Sequence, residues 1–169
     1  TPTVRSGLSI YLANADGSGR IDLTAQSDID YGPEWSPDGT RIYFTSQRDA
    51  NDSEFYVMQA DGSGQTRLTY SQGSDRAAVV SPDGTRLAFV SLRDGNSQVY
   101  RMRANGSEQT PLTSVDGTAW GTAWAPDGRE VAYTVAPPAS SSQVWIAGAD
   151  GTGKRLLTPD GGWGAEWQP

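Results

Sequence analysis

The chain contains neither cysteine nor histidine. Without cysteine no disulfide braces the fold, and no thiol can act as a nucleophile or a thiolate metal ligand. Without histidine the usual general base and the commonest metal-binding side chain are missing. Basic residues are scarce too: 13 Lys plus Arg face 20 Asp plus Glu, for a net charge of -7. That balance argues against a nucleic-acid groove, which needs a basic surface. No apolar run approaches the roughly 20 residues of a spanning helix, so no membrane partner is expected. Gly, Pro or a turn cluster interrupts every stretch longer than about ten residues, which leaves little room for helix.

What is present is a repeat. Pro37-Asp38-Gly39, Pro82-Asp83-Gly84 and Pro126-Asp127-Gly128 stand 45 and 44 residues apart. The pairs Asp16-Gly17, Asp61-Gly62, Asn105-Gly106 and Asp150-Gly151 keep step with them, as do Leu23-Thr24, Leu68-Thr69, Leu112-Thr113 and Leu157-Thr158. A period in the forties, with turn signals and short apolar runs in each unit, specifies propeller blades rather than helical repeats. In the best-formed unit four strand-length runs, 77–80, 86–91, 98–102 and 109–113, are separated by turn clusters that supply positive φ. Aligned apolar columns mark the buried faces: Trp35, Val80, Trp124 and Trp167 on the first strand; Phe44, Phe89 and Tyr133 on the second; Tyr11, Tyr56, Tyr100 and Trp145 on the third. A lone four-stranded sheet has two apolar faces and must bury both against neighbours.

The segments SPDGTRLAFVSLRDGNSQVYRMRANGSEQTPLT and SPDGTRIYFTSQRDANDSEFYVMQADGSGQTRLT resemble the WD-repeat-like blade of the TolB family. The resemblance implies an all-β propeller of four-stranded antiparallel blades. Its members include a periplasmic partner-binding protein and the propeller domains of some peptidases, so it implies a periplasmic or extracellular protein. The third unit departs from the pattern, with Ala136-Pro137-Pro138 where the others carry Arg48-Asp49 and Arg93-Asp94. The expected organisation is a single domain over residues 1–169 holding four blades, one of them split between the second-strand segment Thr1 to Val4 and the C-terminal strand around Trp167. Closure is expected between two chains, as a head-to-tail homodimer of eight blades, because bulky Trp and Phe wedges suit a modest rotation per blade. Closure within one chain and an excised or engineered half-propeller are the alternatives.

Candidate sites divide unevenly. Asp28 with Asp30, or Glu34 with Glu166, are carboxylate pairs that could do acid-base work, but solvated loops explain acidic residues equally well. Asp49 to Glu54 alternates oxygen ligands without completing a calcium loop. Asn51-Asp52-Ser53 and Asn105-Gly106-Ser107 fit a glycosylation sequon but lie in turns that favour such residues anyway. Asp38, Asp83 and Asp127 suit the scaffolding of a turn. The column four residues before the first-strand anchor is more informative: Tyr31, Arg76, Trp120 and Trp163, each followed by a small residue. It lies where one blade crosses to the next, on the face around the channel, and makes either a rim able to stack on a sugar ring or a peptide side chain or a set of aromatics that plug the channel mouth and pack on the neighbouring blade. The functional expectation is a non-catalytic binding or scaffolding propeller with a protein, peptide or glycan ligand at that rim, and no catalytic residue, metal or cofactor. The alternatives are a carbohydrate- or peptide-binding accessory domain of an exported enzyme, and a carboxylate-based hydrolase or lyase dependent on Asp30 or Glu166.

Overall fold

The computed structural model describes residues 7–25, 29–49 and 52–167. Among them there is no helix, and fourteen strands form three four-stranded sheets and one two-stranded sheet. β1 (Tyr11–Leu12) and β2 (Ile21–Asp22) are the two-stranded one. The first complete blade is β3 (Asp30–Trp35), β4 (Arg41–Ser46), β5 (Glu54–Gln59) and β6 (Thr66–Arg67). The second is β7 (Asp75–Val80), β8 (Arg86–Ser91), β9 (Gln98–Arg103) and β10 (Thr110–Pro111). The third is β11 (Thr118–Trp124), β12 (Glu130–Ala136), β13 (Gln143–Gly148) and β14 (Arg155–Leu156). Each is an antiparallel meander in chain order. β3, β7 and β11 touch one another in succession, which makes them the inner strands.

The turns form as their residues dictate. Gly39, Gly84 and Gly128 take φ of 67–70°, a region open to glycine at no steric cost. In the first of these turns the Asp38 carboxylate accepts the Ser36 hydroxyl at 2.6 Å, the Thr40 N–H at 3.0 Å and the Thr40 hydroxyl at 2.9 Å, and these bonds hold its pKa down at about 2. Asp83 does the same between Ser81 and Thr85, whereas Asp127 accepts only the Arg129 N–H as a hydrogen bond, because Ala125 replaces the serine and Arg129 the threonine. The scaffolding role expected of these aspartates is what the geometry gives them.

Packing is blade against blade. Phe44, Phe89 and Tyr133, directly opposite Tyr56, Tyr100 and Trp145 in the ladders, build the inter-blade layers. Ile10 and Leu23 cover the first layer, and Tyr43, Phe55 and Leu68 pack on Phe89 and Tyr100 in the second. Tryptophans then clip one inner strand to the previous one. Trp124 donates its indole N–H to the Val79 carbonyl at 3.1 Å, and Trp167 repeats the bond to the Ala123 carbonyl at 3.1 Å. The segment around Trp167 therefore docks against β11 of the third blade, and among the described residues it forms no ladder. Two expected core positions are exposed, and Val80, Trp145 and Trp167 are half-buried. Trp35 is 45% and Tyr11 46% exposed, because no inner strand or blade precedes them among the described residues; Arg20 stacks on Tyr11 instead, 3.8 Å from the ring centre. Thr1 to Val4 lies outside the described residues.

Each inner strand is broken by a register shift, at Tyr31/Glu34, Arg76/Val79 and Trp120/Ala123. The residue inside it is left-handed: Gly32 at φ 61°, Ala77 at 54° and Gly121 at 64°, with Gly164 at 68° in the corresponding place. The small residues of this column are thus required by backbone conformation, not by converging strands. A Cβ on Gly32 or Gly121 would meet nothing nearer than 3.7 Å. Within this column Ala77 is the member with a Cβ, and its left-handed backbone costs about 1–2 kcal/mol. Ala77→Gly is expected to stabilise the protein by about 0.5 kcal/mol, the strain relief exceeding the added chain entropy. Gly121→Ala is expected to destabilise it by about 1 kcal/mol. Urea midpoints of the two variants check both signs.

Candidate functional site

The bulge decides how the rim residues point, since it inserts an extra residue just after each of them and re-aims the strand. The four do not end up alike. Tyr31 is half-buried and donates its hydroxyl to Ser53 Oγ at 2.9 Å, so it is tied into the β4–β5 loop. Arg76 is exposed. Trp120 is 37% exposed and Trp163 is 81% exposed. Arg76 on β7, Trp120 on β11 and Trp163 at the equivalent position of the C-terminal segment thus remain open to solvent, while Tyr31 is engaged within the chain.

The acidic candidates are engaged as well. Asp30, fully buried, pairs with Arg48 at 3.1 Å; Asp28 lies outside the described residues. Glu34 is half-buried, and burial raises its pKa against the opposing effect of the Val80 N–H it accepts. Glu166 is exposed, and among the described residues no hydrogen bond joins it to Glu34. In the oxygen-rich loop, Asp49 accepts the Tyr56 hydroxyl, Asp52 the Gly73 N–H at 3.2 Å, and Glu54 the Thr69 hydroxyl and an Arg67 N–H at 3.0 Å. Burial raises the Glu54 pKa even so. No group of three or more acidic side chains that could hold a metal occurs among the described residues.

The Arg-Asp pairs of the β4–β5 and β8–β9 loops prove to be inter-blade filling. Arg48 lies 4.8 Å from the centre of the Tyr56 ring and 5.3 Å from that of Phe44, and bonds Gln65 as well as Asp30. Arg93 repeats this, 4.6 Å from Tyr100 and 5.6 Å from Phe89, with Gln109 at 2.8 Å and Asp75 at 2.8 Å. The following Asp94 receives the Tyr100 hydroxyl, and burial together with that bond pushes the tyrosine pKa up to about 12. In the third blade Ala119 stands for the inner aspartate, Pro137 for the arginine, Pro138 for the loop aspartate, Trp145 for the tyrosine and Lys154 for the glutamine. The expected difference of that loop is therefore accompanied by changes in every partner of the missing arginine.

Blades of this kind, with inner strands stapled in series, match the TolB beta propeller domain over residues 49–165. The chain belongs to the TolB β-propeller family. It is similar to a putative TolB from Agrobacterium tumefaciens, with 27% identity and a TM-score of 0.76 over 88% of this chain and 55% of that one. It is likewise similar to TolB from Acinetobacter baumannii, with 28% identity and a TM-score of 0.74 over 89% of this chain and 38% of that one. The chain thus spans about half or less of the length of these two TolB structures. The fold alone is shared with a puromycin hydrolase at 18% identity and TM-score 0.64, and with an oligogalacturonate lyase at 15% and 0.61. No curated protein sequence matches it. The TolB-type repeat is what the Ser-Pro-Asp-Gly-Thr-Arg segments resemble in the sequence. The ion-paired aspartates Asp30 and Asp75 escape a reading by residue type. Their signal is the common 18-residue spacing to Arg48 and Arg93, lost from the third blade at both ends.

Proposed function

We propose that the chain is a non-catalytic binding and scaffolding segment of a TolB-type propeller, acting in the periplasm or outside the cell, with a protein, peptide or glycan ligand held at the channel-face rim by Arg76, Trp120 and Trp163. One observation carries this reading: Trp120 and Trp163 stay exposed at equivalent stations while the large aromatics between the blades are mostly buried. A planar, largely apolar side chain held on a rigid strand offers contact area at small entropic cost, which suits stacking on a sugar or an aromatic side chain. Tyr31 shapes the loop beside the rim through its bond to Ser53. We further propose that a second copy of the chain completes the ring. Support comes from the apolar side chains exposed at either end, Leu8, Tyr11 and Ile21 at one and Leu156 and Leu157 at the other, because a blade with a bare face is unstable in water.

Binding to peptide and oligosaccharide arrays tests the rim. The double variant Trp120→Ala/Trp163→Ala is expected to lose at least tenfold in affinity for any array hit, with a melting temperature within about 2 °C of the parent, as for exposed positions. A large fall in melting temperature would instead assign the two indoles to packing. Mass in solution tests the second copy: twice 18.0 kDa is expected, and a monomer overturns it.

A further inference from the structure

In two inter-blade layers an arginine covers the aromatic pair; between the second and third blades no arginine does. There a cavity of about 320 Å³ opens, lined by Tyr133, Val135, Pro137, Gln143, Trp145 and Lys154, with Asp116 of the β10–β11 crossing at its edge. Its floor is the cross-strand pair Tyr133–Trp145, the counterpart of Phe44–Tyr56 and Phe89–Tyr100. In those two layers a guanidinium lies 4.6–5.6 Å from the ring centres. In the third layer the flat space remains and the cation that fills it is gone.

The charges around that space have changed as well. A guanidinium needs the inner-strand carboxylate, and Ala119 stands in its place. It also bonds an amide oxygen, from Gln65 or Gln109, and there the chain has Lys154, its one lysine. The Lys154 side chain has no ion pair or hydrogen bond among the described residues. A carboxylate entering from outside would find the unpaired ammonium of Lys154, whereas a cation would meet that like charge and lack the inner-strand carboxylate and the glutamine oxygen that hold the arginines, with Asp116 at the edge alone to attract it. Trp145 offers the largest ring face of the three layers, and Val135 and Pro137 keep the sides apolar.

We infer that the groove between the second and third blades is a binding site for a small planar aromatic carboxylate, its ring stacked on Trp145 and its carboxylate paired with Lys154. The volume accommodates one or two fused rings, which favours a free small molecule over a folded partner. Asp116 at the edge turns away ligands carrying a second negative charge. The site is separate from the channel-face rim and stands or falls independently of it.

Calorimetric titration of the full chain with indole-3-acetate, indole-3-acetamide and ethylguanidinium tests this. The acid is expected to bind at least tenfold more tightly than the neutral amide, and ethylguanidinium not to bind. Lys154→Gln, which restores the residue type of the other two blades at an exposed position, is expected to bring the acid down to the level of the amide. The triple variant Ala119→Asp/Pro137→Arg/Lys154→Gln rebuilds the arginine of the other layers and is expected to abolish binding of both indoles. Equal affinity for acid and amide, unchanged binding by Lys154→Gln or by the triple variant, preference for ethylguanidinium, or no binding of any of the three would each overturn the site.

Discussion

Arg93→Ala is expected to destabilise the protein by about 3–5 kcal/mol, because it leaves the carboxylate of Asp75 buried without its counter-charge. The Asp75 side chain has no exposure, Arg93 has only 19%, and Asp75 Oδ1 already has no hydrogen-bond partner, so solvent cannot take over the role of the guanidinium. The same truncation removes the cation from over Tyr100 and Phe89. For a chain of this length the melting temperature is expected to fall by on the order of 10 °C, read by tryptophan fluorescence during heating. The double variant Arg93→Met/Asp75→Ala is expected to recover at least half of the loss, since a buried pair replaced by apolar groups is often neutral or better. The third blade supports that expectation: Ala119 and Pro137 occupy the two positions there, and Ala119 lies fully buried in the core. A double variant no more stable than Arg93→Ala would mean that the cost lies in packing and not in the unpaired charge.

Trp124→Ala is expected to cost about 3–5 kcal/mol as well, by a different route. The side chain is 9% exposed and packs with Ala119, Val131 and Tyr133 between the second and third blades, so its removal leaves a cavity at the inner end of that interface. It also deprives the Val79 carbonyl, beside the bulge of β7, of its donor. Trp124→Phe separates the two contributions: it keeps most of the apolar volume, loses the N–H, and is expected to cost about 1–2 kcal/mol. Urea unfolding of the pair, followed by circular dichroism, gives the difference. Equal losses for Phe and Ala would place the whole effect in the hydrogen bond.

Much of the fold is legible from the chain alone, because period, turn chemistry and strand alternation all point the same way. The Asp-Gly steps locate the hairpins, and the aromatic columns locate the faces. What a single sequence does not display is which column members lack a neighbour, as Trp35 and Tyr11 do, since exposure depends on what packs beyond them. The left-handed residue in each inner strand is hidden for a related reason: Gly32, Gly121 and Gly164 hint at it, but Ala77 in the same column reads as ordinary smallness. Residue types likewise suggest acid-base chemistry at Asp30, where the fold supplies a buried ion pair. The rim column is legible by position, although only the structure separates an engaged Tyr31 from the open Trp120 and Trp163. The groove beside Trp145 leaves a trace in the Pro137-Pro138 departure, yet the accompanying change at Ala119 sits eighteen residues upstream and carries meaning only once Asp75 and Arg93 are seen to touch.

The kinked inner strands bear on solubility. A propeller blade leaves two open borders, each a row of amide and carbonyl groups onto which a foreign strand could add. The outer border is only two residues long in every blade, too short a template for such growth. The central border is six or seven residues long and would otherwise invite fibril formation, but one left-handed residue in its middle interrupts the even spacing that a growing cross-β stack requires.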